Sequence, residues 1–287
     1  MKRTFSGVQP TNNLHIGNYF GAIKNWVDLQ SSHECIYCVV DLHALTVYQK
    51  PEVLRSNIIN VVKTYLALGV DPKKSIIFQQ SDVSAHAELG WVLNTIAKVS
   101  EIERMTQYKD KAAQHAQNIN MGLMDYPVLM AGDILLYDTA VVPVGKDQKQ
   151  HVELARDLSE RFNKLYGDTF VVPAPLIKKE GCRIMGLDDA GKKMSKSAPS
   201  PANYIALLDD PAVAKKKIMR AVTDSGTEVK SGTDKPALTN LLTIYSLLVG
   251  KSIKELEKQY TGKGYGDFKN DLADVVADFL ADFQQKF

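Results

Sequence analysis

CIYCVVDL, residues 35–42, is the stretch on which the fold turns. A strand with one wet face alternates apolar and polar residues, whereas this run is apolar without a break. It reads as a strand covered on both faces, the habit of a parallel sheet. Working outward, RTFSGV (3–8), SIIFQQ (75–80) and AVVPV (140–144) have strand character too. Helical patterns lie between them. Ile16, Tyr19, Phe20, Ile23, Trp26 and Val27 mark one helical face within 16–30, and Pro51 opens a helix running towards Gly69. Further helical periodicity covers 84–117, 125–138 and Asp147 to about Tyr166. Buried strands alternating with helices predict an α/β fold, a Rossmann-like doubly wound parallel sheet, with ligands at the carboxyl ends of the strands.

After about residue 200 the pattern is helical only, in PAVAKKKIMRAV, ALTNLLTIYSLLVG, SIKELEKQY and FKNDLADVVADFLADFQQKF. The expected organisation is an α/β domain over 1–195 and a smaller all-helical domain over 196–287. Phe279, Leu280 and Phe283 still mark an apolar face where the chain stops, so this domain is expected to be cut short at its C-terminus.

Of 287 residues, 45% are hydrophobic and 24% charged, the balance of an ordinary globular chain. A net charge of +2 does not by itself argue for nucleic acid. No apolar run approaches the ~18 residues of a membrane span. MKRTFSGVQP carries no apolar signal core, and three sparse cysteines suit a reducing compartment, so a soluble cytoplasmic protein without membrane contact is expected.

Several motifs fail on inspection. Gly145-Lys146 is no phosphate loop of the G-x-x-x-x-G-K-[ST] kind, because Ala140 stands where the first glycine belongs and no Ser or Thr follows. GKGYG (262–266) follows a helix and reads as a stop and turn. His33, Cys35, Cys38 and His43 suggest zinc, yet two cysteines three apart on a strand face opposite ways, so no metal site is assigned.

Two segments carry chemistry. TNNLHIGNYFGA (11–22) joins the first strand to the first helix, and Gly17 falls in the opening turn, where unpaired N–H groups and a positive dipole end favour a nucleotide. The absence of a β-carbon there admits a flat base or ribose. Far along the chain, GKKMSKSAPSP (191–201) crowds Lys192, Lys193 and Lys196 around Met194, Ser195 and Ser197. Lys193 and Lys196 converge on one point if the loop folds back. On the helix 125–138, Tyr126, Met130, Asp133 and Tyr137 share one face, so Asp133 is a carboxylate within apolar LMAGDILLY that must find donors or become protonated.

HIGN near the start and KMSKS after the last α/β element resemble the signatures of class I aminoacyl-tRNA synthetases. FSGVQPT, DLHALTV, ERMTQYKDK, YPVLMAGDILLYD and VPVGKDQKQHVELARDL, together with KKMSKS, are similar to the bacterial-type tryptophanyl-tRNA synthetase family, from Phe5 to the last residue. The resemblance implies a reaction in which the tryptophan carboxylate attacks the α-phosphate of ATP, and tRNA(Trp) then takes the aminoacyl group. Lys111, Lys193 and Lys196 would be the catalytic cations, with Mg2+. Gln9, Pro10, Thr11, His15, Gly17, Asn18, Gly145, Lys146, Asp147, Ile184, Met194, Ser195 and Ser197 would complete the ATP site with Lys193 and Lys196. His15 would face phosphates, Ile184 adenine and Asp147 the ribose. Phe5, Gly7, His43, Met130, Val142 and Val144 would enclose the indole, with Asp133 accepting its N–H, while Tyr126 and Gln148 meet the ammonium group. A homodimer is implied, and no DNA partner.

Leu42, Lys146 and Ala198 depart from the family pattern without removing any of these groups. Two rivals stay open: a tyrosyl enzyme with the same fold and signatures, and a non-catalytic paralogue that binds tRNA.

Overall fold

The computed structural model describes residues 1–11, 14–114, 116–117, 119–177, 183–196 and 198–287, with Lys146 described in its backbone alone. The chain forms two compact units, Met1–Asn12 with Asn25–Lys179, and Asn13–Lys24 with Glu180–Phe287.

The first unit is built on five parallel strands, β1 (Lys2–Val8), β2 (His33–Val39), β3 (Ser75–Gln79), β4 (Val141–Pro143) and β5 (Ala174–Leu176), in the order β3-β2-β1-β4-β5. This is the α/β architecture that the apolar run at 35–40 predicts. Every residue from Cys35 to Val40 is buried, and burial raises both the Cys35 and Cys38 thiols, leaving them protonated and inert. β2 is shorter than expected. At Asp41 the chain turns into a short helix, α3 (Asp41–Ala44), whose first carboxylate accepts from Ser81 N–H, the Ser81 hydroxyl and the Gln79 amide.

β5 has no counterpart in the sequence reading. Pro173 and Pro175 interrupt VVPAPL, and proline is tolerated at the sheet edge, where β5 lies.

Helices α2 (Lys24–Leu29), α4 (Pro51–Ala67), α5 (Ala85–Asn94), α6 (Val99–Glu103), α7 (Thr106–Gln114), α8 (Met121–Leu135) and α9 (Lys149–Tyr166) connect the strands. Trp26 of α2 stacks on Tyr37 of β2 at 4.7 Å and meets Tyr65 of α4 edge-on. α8 starts earlier than its apolar period predicts, because Asn120 caps it by accepting the Leu123 N–H. Its apolar face joins Phe5, Ile36, Cys38, Val142, Val152 and Leu158 in one core.

The second unit contains α1 (Ile16–Asn18), a π-helical turn (Tyr19–Ile23), and α10 (Pro211–Arg220), α11 (Pro236–Val249), α12 (Ile253–Gln259) and α13 (Tyr265–Lys286). The helix expected over 16–30 is thus α, then π, then α, and a π turn widens the ladder locally. Residues 14–16 pair their backbone with 205–207, through Ile16 N–H to Ile205 O and Leu207 N–H to Leu14 O. Lys24 donates to the Leu247 carbonyl, and Tyr19 stacks on Phe279. These bonds carry the HIGN segment into the C-terminal unit, whose limits differ from a division at residue 195. GKGYG turns as its glycines suggest, with Gly262 left-handed at φ +79° and α13 starting at Tyr265. Among the described residues no helix is long and apolar enough to cross a membrane.

Candidate active site

In the second unit the lysine loop is a stapled hairpin. Met194 N–H donates to the Ile184 carbonyl and Gly186 N–H to that of Lys192, with a bridge between Met185 and Lys193. Asn240 of α11 clamps its base, its carboxamide accepting from Met185 N–H and donating to Met185 O, both at 2.9 Å. On the other side Asn203 accepts from Ser195 N–H at 2.9 Å. A β-carbon at Gly186 would collide with the Asn203 amide and press on the Asp189 carbonyl at 3.0 Å, so the glycine leaves room for the Asn203 side chain. Ile184 and Met194 are buried, while Lys193 and Lys196 are exposed. The apolar residues anchor the loop, and partial burial lowers the Lys196 pKa.

The HIGN turn meets this loop inside the same unit. His15 caps α1 with extended backbone, and its N–H is accepted by Asn18 Oδ1 at 3.0 Å, so the group Asn18 offers a ligand is its NH2. A β-carbon on Gly17 would sit 2.9 Å from the His15 ring and 3.5 Å from Met194 Sδ. His15 is buried, and its Nδ1 has no hydrogen-bond partner among the described residues. Burial, and then the charges of Lys193 and Lys196, push its pKa down to about 4, so the ring is neutral near pH 7. Two segments far apart in sequence therefore share one electropositive surface. Ser197 lies outside the described residues.

In the first unit, Asp133 is 1% exposed. Its Oδ2 is 2.7 Å from His43 Nε2, and its Oδ1 is 2.7 Å from both His86 Nδ1 and Gln80 Nε2. Burial works to raise the carboxyl pKa, but the charges and hydrogen bonds of His43 and His86 outweigh it and hold the group below the usual carboxylate range. An ionised carboxylate has about four acceptor positions. Three are taken, and the fourth is on Oδ2. Phe5 and Val142 are buried beside α8, with Met130 and Val144 partly buried against the same core. Gly7 is needed at the end of β1, where a β-carbon would fall 2.8 Å from Val40 Cγ1 and 2.9 Å from Cys38 O.

Tyr126 is buried on α8, and burial with nearby Asp110 pushes its phenol up to about 12. Its hydroxyl is 3.2 Å from His151 Nε2, and Lys111 Nζ lies 3.9 Å from its ring centroid. Burial lowers the Lys111 pKa. Gln148 donates to Asp147 Oδ2 at 3.2 Å, and a β-carbon on Gly145 would lie 2.6 Å from Asp147 Oδ1, so the glycine leaves room for that carboxylate. Gln9, Pro10 and Thr11 follow β1, with Thr11 N–H donating to the Gln9 carbonyl. The side chain of Lys146 lies outside the described residues.

The sequence reading missed Gln80, His86 and His151. Gln80 lies in a polar run, Gln79-Gln80-Ser81-Asp82, and His86 and His151 are single histidines on helices, patterns that more often mark satisfied core groups than ligand contacts. Basic residues of the second unit divide in two. Lys217 is internal, donating to Asp209 and the Tyr204 carbonyl, and Lys269 donates to the Ala221 carbonyl, whereas Lys216 and Arg220 are exposed.

Residues 1–281 match the profile of the tRNA synthetases of class I (W and Y). The chain is 51% identical over 288 residues to a tryptophan–tRNA ligase of Bacillus anthracis, covering 100% of this chain and 87% of that protein. Among solved structures it is similar to tryptophanyl-tRNA synthetase from Mycoplasma pneumoniae (TM-score 0.91, 38% identity, 100% and 87% of the two chains). It is also similar to that from Campylobacter jejuni complexed with ADP and tryptophan (TM-score 0.84, 40% identity, 99% and 88%). With a glycine turn against a lysine loop, a parallel sheet in the order 3-2-1-4-5 and a profile match over nearly its whole length, the chain belongs to the class I tRNA synthetases of the tryptophan and tyrosine group.

Proposed function

We propose that the chain is a tryptophan–tRNA ligase, which activates L-tryptophan with ATP and transfers it to tRNA(Trp). The observation that carries the activation step is the closeness of the HIGN turn to the lysine loop: Met194 leaves room for little more than a β-carbon at Gly17, and the charges of Lys193 and Lys196 act on His15. A neutral His15 beside two exposed lysines suits a triphosphate, because the imidazole donates or accepts without adding a charge of its own. In the reaction a tryptophan carboxylate oxygen attacks the α-phosphorus, the bond to the bridging oxygen breaks, and pyrophosphate leaves with the electron pair. Lys193 and Lys196 stabilise charge moving onto that leaving group, and Lys111 contributes a third cation. Mg2+ travels with the triphosphate, its usual mode at nucleotide sites. Ile184 is assigned to adenine and Asp147 to the ribose, Ser195 and Ser197 add donors beside the lysines, and Gln9, Pro10, Thr11, Gly17, Asn18, Gly145, Lys146 and Met194 are the other residues assigned to ATP.

The choice of tryptophan rests on Asp133. Its remaining acceptor position takes the indole N–H between Phe5, Gly7, His43, Met130, Val142 and Val144, while Tyr126 and Gln148 receive the ammonium. Phenylalanine has no donor and leaves the carboxylate short of a partner, a loss worth ~10⁴-fold at sites of this kind. Tyrosine has one, so pocket shape excludes it.

The enzyme works in the cytoplasm as a homodimer. Support for the second copy comes from large apolar side chains left exposed in the first unit, Trp91 at 73%, Val99 at 60% and Ile76 at 55%. The domain over 196–287 serves tRNA and anticodon binding. Tryptophan-dependent exchange of pyrophosphate into ATP, run beside tyrosine, tests the reading. Exchange with tryptophan supports it, exchange with tyrosine alone selects the tyrosyl enzyme, and no heat with either ATP or tryptophan in calorimetry points to the tRNA-binding paralogue.

A further inference from the structure

Asp133 is the middle of a longer chain of groups. His86 of α5 is 0% exposed, with Nδ1 on Asp133 and Nε2 2.8 Å from the Tyr137 hydroxyl. An ionised carboxylate only accepts, so Nδ1 carries hydrogen. Nε2 and the Tyr137 hydroxyl share the second hydrogen bond of the ring. The Tyr137 ring in turn stacks on Phe5 at 5.7 Å and 12°, and meets Phe78 edge-on at 5.6 Å. Phe78 stacks on His86 at 5.7 Å. The polar chain and the aromatic stack close on each other, so the ring of Phe5 and the carboxylate of Asp133 are held by the same two side chains.

We infer that His86 and Tyr137 are positioning residues for amino-acid selection. They fix the direction of the Asp133 lone pairs and the plane of Phe5 together, so that a flat ring with an N–H donor at one place satisfies both. This rests on the reading that Asp133 receives the indole. The same groups keep the carboxylate ionised: His43 and His86 face it as donors, and Cys38 and Tyr137 are the other titratable groups near it, both protonated because burial raises them.

Tyr137→Phe deletes one oxygen and keeps the stack. It is expected to lower kcat/KM for tryptophan in pyrophosphate exchange about tenfold, with the KM for ATP unchanged, and to lower discrimination against phenylalanine by a similar factor. His86→Leu removes a donor from Asp133 and is expected to move the acid limb of the tryptophan kcat/KM profile upward in pH. His86→Asn, which retains a donor towards Asp133, is expected to return that limb to its place. Asp133→Asn separates this inference from the one beneath it. If that change alone leaves tryptophan kcat/KM intact, the indole assignment fails and the inference fails with it. If Asp133→Asn is damaging while Tyr137→Phe and His86→Leu alter neither discrimination nor the pH profile, the positioning role is overturned and the assignment of Asp133 survives. Should His86→Leu not fold, the Tyr137→Phe discrimination ratio decides by itself.

Discussion

Gly17 faces Met194 across a gap that one carbon would fill: a β-carbon on the glycine would lie 3.5 Å from the methionine sulfur, an ordinary contact, but only 2.9 Å from the His15 ring. Added atoms at this point press on the His15 ring and shift the opening turn. Gly17→Ala is therefore expected to raise the KM for ATP about tenfold, roughly 1–2 kcal/mol, while tryptophan binding measured without ATP stays within twofold. An unaltered KM for ATP would remove the turn from the nucleotide site.

Lys196 is exposed and stands on a loop held by Met194, Asn203 and Asn240. Replacing it with Ala leaves those anchors in place. Adenylate formation in single-turnover assays is expected to slow by at least 10²-fold, in the range seen when one group stabilising transition-state charge is lost. Tryptophan affinity is expected to stay near its original value. Equal losses in rate and tryptophan affinity would contradict a role specific to the leaving pyrophosphate.

Lys111 rests on the face of Tyr126, the residue assigned to the substrate ammonium. Two cations against one phenol repel each other, so Lys111 and the proposed ammonium group compete for that face. Lys111→Ala is expected to leave tryptophan binding in the absence of ATP unchanged or tighter, while adenylate formation falls by 10²-fold or more. Calorimetry with tryptophan alone, compared with single-turnover rates, checks the split. Weaker tryptophan binding with an intact rate would reverse the assignment.

His15 and His151 are buried with pKa values pushed down to about 4, chiefly by burial and secondarily by neighbouring lysines. An unfolded histidine titrates near 6.5. Between these values the unfolded chain binds protons that the folded chain refuses, so stability falls as pH drops from about 6.5 towards 4. Each ring contributes on the order of 1 kcal/mol of this loss by pH 5.5. Urea unfolding at pH 7 and 5.5 is expected to show the loss in the wild type and a smaller one in His151→Gln. Identical slopes in both proteins would count against a buried neutral imidazole at position 151.

Much of the sheet was legible because burial on both faces writes itself as an apolar run, as in Cys35–Val40. β5 was not, since Pro173 and Pro175 hide a strand that needs few ladder bonds at the edge. The two segments proposed to hold the nucleotide stood out as glycine and lysine at special places. Their shared unit was not, because it depends on backbone pairs between 14–16 and 205–207 that no local pattern announces. Asp133 was visible as a charge among apolar residues. Its partners were not: Gln80, His43 and His86 come from three other segments, and only the fold gathers them.

The most direct test is a crystal structure with ATP and a non-reactive tryptophan analogue bound. One nucleotide touching the His15–Asn18 turn with its base or ribose side, and the Lys193–Lys196 loop with its phosphates, is the predicted result. A triphosphate seated on only one of these segments, with the other bound to nothing, would contradict it.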